Sequence, residues 1–530
     1  MNIRPPAAVL ASVLASVLAA AAAGPLSAQT PPQKTPAAAP AAAASKIPAV
    51  EKPPAVTKHT VTIDGRPVAY TAAAGEMIIN KPNEEPGASI FYVAYTRDEV
   101  RDPSARPLTF AYNGGPGSSS VWLHLGGLGP RRVAMDDEGL SGTPPYGLVD
   151  NPFSVIDVTD LVMIDPVSTG YSRPLPGEAK SQFHGLQEDA EAVAEFIRLY
   201  VTRNERWASP KFLLGESYGT TRSAAVAGVL QGRTHGMYLN GIILVSSVLD
   251  FATIRFTPGN ILPYVLFLPH YTATAWYHKK LPPELQAKPL AEVLEAARAF
   301  AVDEYAPALI KGNRLSPAAY EDIARKTAAM SGLRLEYVKQ SNLKVSHGRF
   351  VKELLRAESR SVGRLDSRIL GRDAEAAGDG VDFDPSSAAI MGSFSTRLNH
   401  YLRTELRYEK DIPYAVYGDV YPWNFSVPSP DPRASLRGGA SGLPDVTDIL
   451  RRALAENPHL RIFCGNGYYD GATPFFGTEH TFAQIGFNGE FKDRIEMGYY
   501  EAGHMMYIHK PSIARFKQDI AGFIAKASRR

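Results

Sequence analysis

The chain has 530 residues, 56 of them lysine or arginine and 54 aspartate or glutamate. A near-neutral balance with no long basic block excludes nucleic acid as the main partner, and an apolar content of 45% fits a folded core rather than a disordered chain. The single cysteine, Cys464, rules out an intramolecular disulfide, and in the apolar run Arg461 to Cys464 it reads as a buried, inert thiol.

At the start, Arg4 precedes the uncharged stretch Ala7 to Ala23, and small residues follow. This is the layout of a secretory signal, assigned to residues 1–28, with Ala23 and Ala28 both offering cleavage sites. The alternative is an uncleaved anchor, but alanine dominates over leucine in the stretch and a soluble linker follows it. Residues 29–58 are rich in proline and alanine and read as a linker or a propeptide. Folding is expected to begin near His59, with a hairpin around Asp64-Gly65.

Residues 59–249 alternate short apolar runs with helical periodicity. Strands are expected at Leu108 to Tyr112, Leu161 to Ile164, Phe212 to Leu214 and Gly241 to Val245. Asp189 to Tyr200 sets Ala190, Val193, Phe196 and Ile197 on one helical face, and Thr221 to Leu230 is also helical. Continuous apolar strands alternating with helices indicate a mainly parallel sheet covered on both faces, an α/β fold. Residues 250–439 break the pattern with helical segments such as Ala291 to Ile310, and one starting at the Ser316 cap and ending at Gly332. They read as a helical insertion that forms a lid over the sheet. The sheet resumes in residues 440–530 with Leu460 to Cys464, and a helix from Ser512 to Ala525 closes the domain.

Chemistry concentrates at three places. Gly215-Glu216-Ser217-Tyr218-Gly219 matches G-x-S-x-G between a strand and a helix, the context of a nucleophile elbow. A serine hydroxyl needs a base to take its proton. In an α/β-hydrolase fold the acid and then the histidine follow the serine. Asp470, in the loop after the strand ending at Cys464, is the candidate acid, with Asp493 as its competitor. His504, after Gly503 in an apolar setting, is the candidate base, with His480 and His509 as alternatives. Asn113-Gly114-Gly115-Pro116-Gly117 follows the strand at Leu108, where the fold places an oxyanion donor, so the N–H groups of Gly115 and Tyr218 are the expected oxyanion hole. No metal-ligand spacing appears, and no cofactor is called for.

These pieces together resemble the serine carboxypeptidase family. The resemblance rests on Asn113 to Ser119, Gly129-Pro130, Asp165 with Gly170-Tyr171-Ser172, Gly215 to Tyr218, Asp470 and Gly503-His504, in the family's order. It implies an α/β-hydrolase fold and Ser217 as nucleophile, His504 as base and Asp470 as acid. It also implies that Asn113, the Gly114 backbone and Glu216 bind a substrate's terminal carboxylate. Peptide or protein C-termini are then the partners, with no nucleic acid and no stable membrane association after signal cleavage, in a periplasmic or extracellular setting.

The chain departs from the family pattern in several places. The family's second glutamate, two residues before the Gly-Pro pair, is replaced by Gly127. Without that neighbour Glu216 is expected to ionise more easily, leaving His124, Arg131 or Arg132 as alternative carboxylate readers. The family's disulfides, the tryptophan ahead of its oxyanion loop and its Gly-Asn-Gly turn are missing, with Ala111-Tyr112 and Ser246-Ser247-Val248 in the last two places. An esterase or acyltransferase on the same fold is the alternative reading, and a non-catalytic peptide-binding homologue is a further one.

Overall fold

A central sheet builds the molecule, formed where the apolar runs fall. The computed structural model describes residues 51–427, 443–486 and 488–529, all within one compact unit, Pro48–Arg530. The stretch read as a signal peptide, most of that read as a linker and the end of the expected insertion lie outside the described residues. In chain order the sheet strands are β1 (Ala55–Ile63), β2 (Arg66–Asn80), β3 (Pro86–Arg97), β4 (Leu108–Tyr112) and β5 (Asp160–Ile164). Helix α1 (Leu186–Arg203), β6 (Lys211–Ser217), α2 (Tyr218–Gln231) and β7 (Gly241–Ser247) follow. The insertion contributes α3 (Leu262–Tyr277), α4 (Leu290–Phe300), α5 (Pro317–Ser331) and α6 (Pro385–Thr404). The last quarter adds β8 (Arg461–Gly467), α7 (Phe475–Ile485), β9 (Ile495–Tyr500) and α8 (Lys510–Ala527).

The strands lie in the order β1-β2-β3-β5-β4-β6-β7-β8-β9, with the short strand Arg173–Pro174 also paired to β3. The first three strands and the β3–β5 pair are antiparallel, and every pair from β5 to β9 is parallel. This is an α/β-hydrolase fold. After β4 the chain crosses to β5 on one side, whereas after β6 it crosses to β7 on the other. The carboxyl ends of the adjacent strands β4 and β6 therefore flank a switch point, where open α/β sheets form their ligand crevice.

Packing follows the predicted faces. Ala190, Val193, Phe196 and Ile197 of α1 are buried against one side of the sheet, together with the apolar face of α2. Ile513, Phe516, Ile520 and Phe523 of α8 cover the other side. Each such large apolar side chain contributes about 1.5–3 kcal/mol through burial. Cys464 is fully buried in the sheet core, and burial pushes its thiol pKa well up.

The insertion carries its own core, with Phe267, Tyr271, Val293, Phe300, Ile323 and Phe350 in contact. The cap and stop of α5 are those expected: Ser316 accepts from the Ala319 N–H at 3.2 Å, and Gly332 is left-handed with φ +69°. Two boundaries differ from expectation. β1 begins at Ala55, inside the stretch read as linker, because Ala55 to Lys58 pair along β2 although their side chains are only half-buried or exposed. β8 runs on to Gly467, three residues past Cys464, which carries the following loop to the carboxyl edge of the sheet.

Candidate active site

β6 ends at Ser217, whose backbone is forced to φ 59° and ψ −129° before α2 begins at Tyr218. A non-glycine residue held there is strained, and strain of this kind persists only where surrounding structure imposes it. Here the helix folds back onto the strand: a Cβ on Gly215 would fall 2.1 Å from the Gly219 carbonyl oxygen. Glycine is thus a steric requirement of the turn that projects Ser217, which remains partly exposed.

The loop after β4 packs directly onto this turn. A Cβ on Gly114 would fall 2.5 Å from the Tyr218 nitrogen and 2.6 Å from the Glu216 carbonyl oxygen. Gly115 next to it takes φ +105°, open mainly to glycine. The far side of the loop is anchored by Asp165, just after β5, whose carboxylate accepts from the Ser120 N–H at 2.8 Å. Beneath it lies a fully buried cation, Arg222 of α2. Its guanidinium pairs with Asp189 at 2.7 Å and donates to the Asn113 carbonyl at 2.6 Å. It also lies over the rings of Tyr112 and Tyr218, at 5.3 and 5.2 Å from their centroids.

His504 and Asp470 meet at the ends of the neighbouring strands. The His504 Nδ1 and Asp470 Oδ2 atoms are 2.8 Å apart, and both residues are buried. Asp470 also accepts from the Ala472 and Thr473 N–H groups at 2.8 and 3.0 Å and from the Thr473 hydroxyl at 2.7 Å. Burial opposes its charge, but His504 and these donors hold its pKa below the usual carboxylate value. Burial also opposes charge on His504, yet Asp470 and then Glu216 outweigh it and raise the imidazole pKa. The Ser246 hydroxyl donates to the His504 carbonyl at 2.7 Å, tying this loop to β7, where Ser247 pairs with Ser217.

The competing residues sit elsewhere. His509 bonds the Ser512 hydroxyl at 2.8 Å at the start of α8. His480 belongs to α7, where burial lowers its pKa, and Asp493 lies in the turn before β9.

One contribution had no sequence signal. Residues Arg364 to Ser367 of the insertion clamp both loops through the backbone. Leu365 O accepts from the His504 N–H at 2.6 Å, and Arg364 O accepts from the Gly471 N–H at 3.0 Å. The Asp366 carboxylate, paired with Arg368 at 2.7 Å, accepts from the Gly503 N–H at 3.2 Å. The insertion therefore holds the acid and base loops in place.

Glu216 points into the interior beside Ser217 and is 3% exposed. Even without a second glutamate beside it, burial pushes its pKa up to about 7, against the opposing effect of His504 and the hydrogen bonds it accepts. Two of the three alternative carboxylate readers, His124 and Arg131, are engaged elsewhere. His124 is buried and bonded to the Tyr95 hydroxyl at 2.6 Å. Arg131 is paired with Asp150 and with Glu405. Arg132 is buried with its guanidinium 5.9 Å from the Phe153 ring centroid.

Residues 70–256 match the family model described as serine carboxypeptidase. Over this span, about a third of its length, the chain is similar to serine carboxypeptidases. The matched span of this serine carboxypeptidase relative contains Asn113 to Ser119 and Gly215 to Gly219 but ends before Asp470 and His504, which are joined to it by the geometry above. It is 26% identical over 191 residues to serine carboxypeptidase-like 36 of Arabidopsis thaliana, covering 34% of this chain and 36% of that one. To a carboxypeptidase Y homolog of Arthroderma benhamiae it is 29% identical over 138 residues, covering 26% and 25%. The matched regions thus span about a third or less of these curated relatives. The prohormone-processing carboxypeptidase Kex1 from Saccharomyces cerevisiae aligns over 86% of this chain and 91% of its own, at 16% identity and a TM-score of 0.49. Among the described residues, no helix is long and apolar enough to cross a membrane.

Proposed function

We propose that this chain is an exported serine carboxypeptidase that hydrolyses C-terminal peptide bonds through an acyl-enzyme on Ser217. The observation that carries the reading is the His504–Asp470 hydrogen bond of 2.8 Å at the strand ends beside the strained Ser217 turn. Export is inferred from Arg4 and the apolar stretch Ala7 to Ala23.

In this reading His504 Nε2 takes the Ser217 proton as Oγ attacks the scissile carbonyl carbon. Asp470 holds the imidazole in the needed tautomer and stabilises the cation that forms. The N–H groups of Gly115 and Tyr218 bind the oxyanion, and His504 then gives its proton to the leaving amine. Water, deprotonated by the same imidazole, attacks the acyl-enzyme, and collapse of the second tetrahedral intermediate returns the proton to Ser217.

Choice of a free C-terminus is assigned to Asn113, the Gly114 N–H and Glu216. An anionic carboxylate is repelled by an ionised carboxyl but accepts a hydrogen bond from a neutral one. A buried Glu216 with a pKa of about 7 is neutral in acid and weakly acidic solution. This cluster beside the elbow favours a peptide C-terminus over the esterase or acyltransferase alternative, which needs no carboxylate receiver.

The test is incubation of the purified chain with an N-blocked peptide, followed by mass spectrometry of the products. Stepwise loss of single C-terminal residues, blocked by a fluorophosphonate that labels Ser217, is expected. Internal cleavage, or release unaffected by the label, would overturn the proposal.

A further inference from the structure

Three residues after His504, Tyr507 sits in a single helical turn with its side chain fully buried. Its ring lies where residues 126 and 127 have no side chains. A Cβ on Gly126 would fall 2.5 Å from Tyr507 Cε2, and one on Gly127 2.6 Å from Tyr507 Cβ. The phenol donates to Glu216 Oε2. Asn113 completes the cluster: its Oδ1 accepts from the Leu123 N–H at 3.0 Å, which turns its amide N–H groups toward Glu216 and Tyr507.

We propose that Tyr507 is the positioning residue for Glu216: by donating to one carboxyl oxygen it directs the acidic proton to the other, from which Glu216 donates to the substrate's terminal carboxylate. This rests on the carboxypeptidase reading. The chemical logic is that a neutral carboxyl has one O–H and one strong acceptor oxygen. A donor fixed on Oε2 satisfies the acceptor, so the proton belongs on Oε1 and the receiver has a defined donor. Asn113 supplies a second, permanently neutral donor. Glu216 is also faced by His504, Asp470 and the Tyr417 phenol, while Arg364 acts on His504 and Tyr417. None of these others donates a hydrogen bond to Glu216 among the described residues, so Tyr507 and Asn113 set its orientation.

The experiment measures KM and kcat of wild type, Tyr507→Phe and Glu216→Gln from pH 5 to 9. The substrates are an N-blocked dipeptide with a free C-terminus and the matching N-blocked amino-acid ester. Tyr507→Phe keeps the ring against Gly126 and Gly127, and its melting temperature is recorded alongside. In wild type, KM for the free acid is expected to rise as pH passes about 7, where Glu216 loses its proton. In Tyr507→Phe, KM for the free acid at pH 5.5 rises about tenfold more than for the ester, the scale of one hydrogen bond to a charged group. The inflection moves to higher pH, because the lost donor had favoured the ionised form.

Equal increases for both substrates, or an unmoved inflection, would overturn the positioning role. In Glu216→Gln the inflection disappears, since an amide donor needs no proton; its persistence would show that Glu216 is not the receiver that Tyr507 orients. A wild type indifferent to the free carboxylate would bring down the carboxypeptidase reading, and this proposal with it. A wild type that prefers the free acid while Tyr507→Phe behaves identically would bring down this proposal alone.

Discussion

Replacing Gly114 by alanine tests how the loop after β4 is seated on the elbow. The added methyl would lie 2.5 Å from the Tyr218 nitrogen, 2.6 Å from the Glu216 oxygen and 2.6 Å from the Gly219 nitrogen, against an ordinary contact of at least 3.4 Å. Relief therefore needs a displacement of about 0.9 Å, from the difference between 3.4 and 2.5 Å. All three obstacles are backbone atoms of β6 and α2, and β6 is paired on both edges. The shift must fall on Asn113 to Gly115 instead. An oxyanion donor works within about 2.7–3.1 Å of the developing charge, and losing one costs about 100- to 1,000-fold in rate. We expect kcat/KM for an ester to drop by that factor, with a stability loss of about 1–3 kcal/mol from overpacking. Gly259→Ala, which enters open space, is the control. The assay is steady-state ester hydrolysis with a thermal melt on each variant. Gly114→Ala activity within twofold of wild type, at an unchanged melting temperature, would refute the seating of this loop.

Further outcomes follow from the same contacts. Asp470→Asn removes the anion that orients His504 and should lower kcat by about 10,000-fold with little change in the fold, measured by ester turnover and circular dichroism. Ester hydrolysis, which needs no terminal carboxylate, should rise with pH and level off. Its midpoint in kcat/KM should lie above the ordinary imidazole value, because Asp470 and Glu216 raise the His504 pKa and the base works only when neutral. Glu216 also leaves a mark on stability. Its pKa is raised from 4.5 to about 7, so its contribution is fully present below pH 4.5 and lost as pH rises through 7. That is a fall of about 3 kcal/mol at 1.36 kcal/mol per unit, which Glu216→Gln should lack in urea unfolding at pH 4.5 and 8.

Much of the scaffold was legible because its strands are continuous apolar runs and its helices keep one apolar face. Leu108 to Tyr112, Gly241 to Val245 and the α1 face could be read directly, since each is buried as a block. Ser217, Asp470 and His504 stood out as candidates for a related reason: Ser217 ends a strand between Gly215 and Gly219, and Asp470 and His504 each follow a strand with a glycine beside them. What stayed hidden acts across long sequence separations or through the backbone. Leu365 and Arg364 hold the His504 and Asp470 loops with carbonyl oxygens, which any residue type supplies. Nothing local to the sequence marks Arg222, yet it is buried beneath the Asn113 carbonyl. The pair Gly126-Gly127 carried a faint signal, since two glycines at a buried site make room for a neighbour. Nothing local named Tyr507 as that neighbour, nor showed that burial would raise the Glu216 pKa.

The most direct test of the carboxypeptidase reading compares hydrolysis of an N-blocked dipeptide with a free C-terminus and of its C-terminal amide, at pH 5.5, with Ser217→Ala as control. We expect the free acid to be cleaved at least tenfold more efficiently in kcat/KM, the scale of one charge-assisted hydrogen bond, with no turnover of either by Ser217→Ala. Equal or preferred cleavage of the amide by wild type would contradict terminal-carboxylate recognition by Asn113, Gly114 and Glu216.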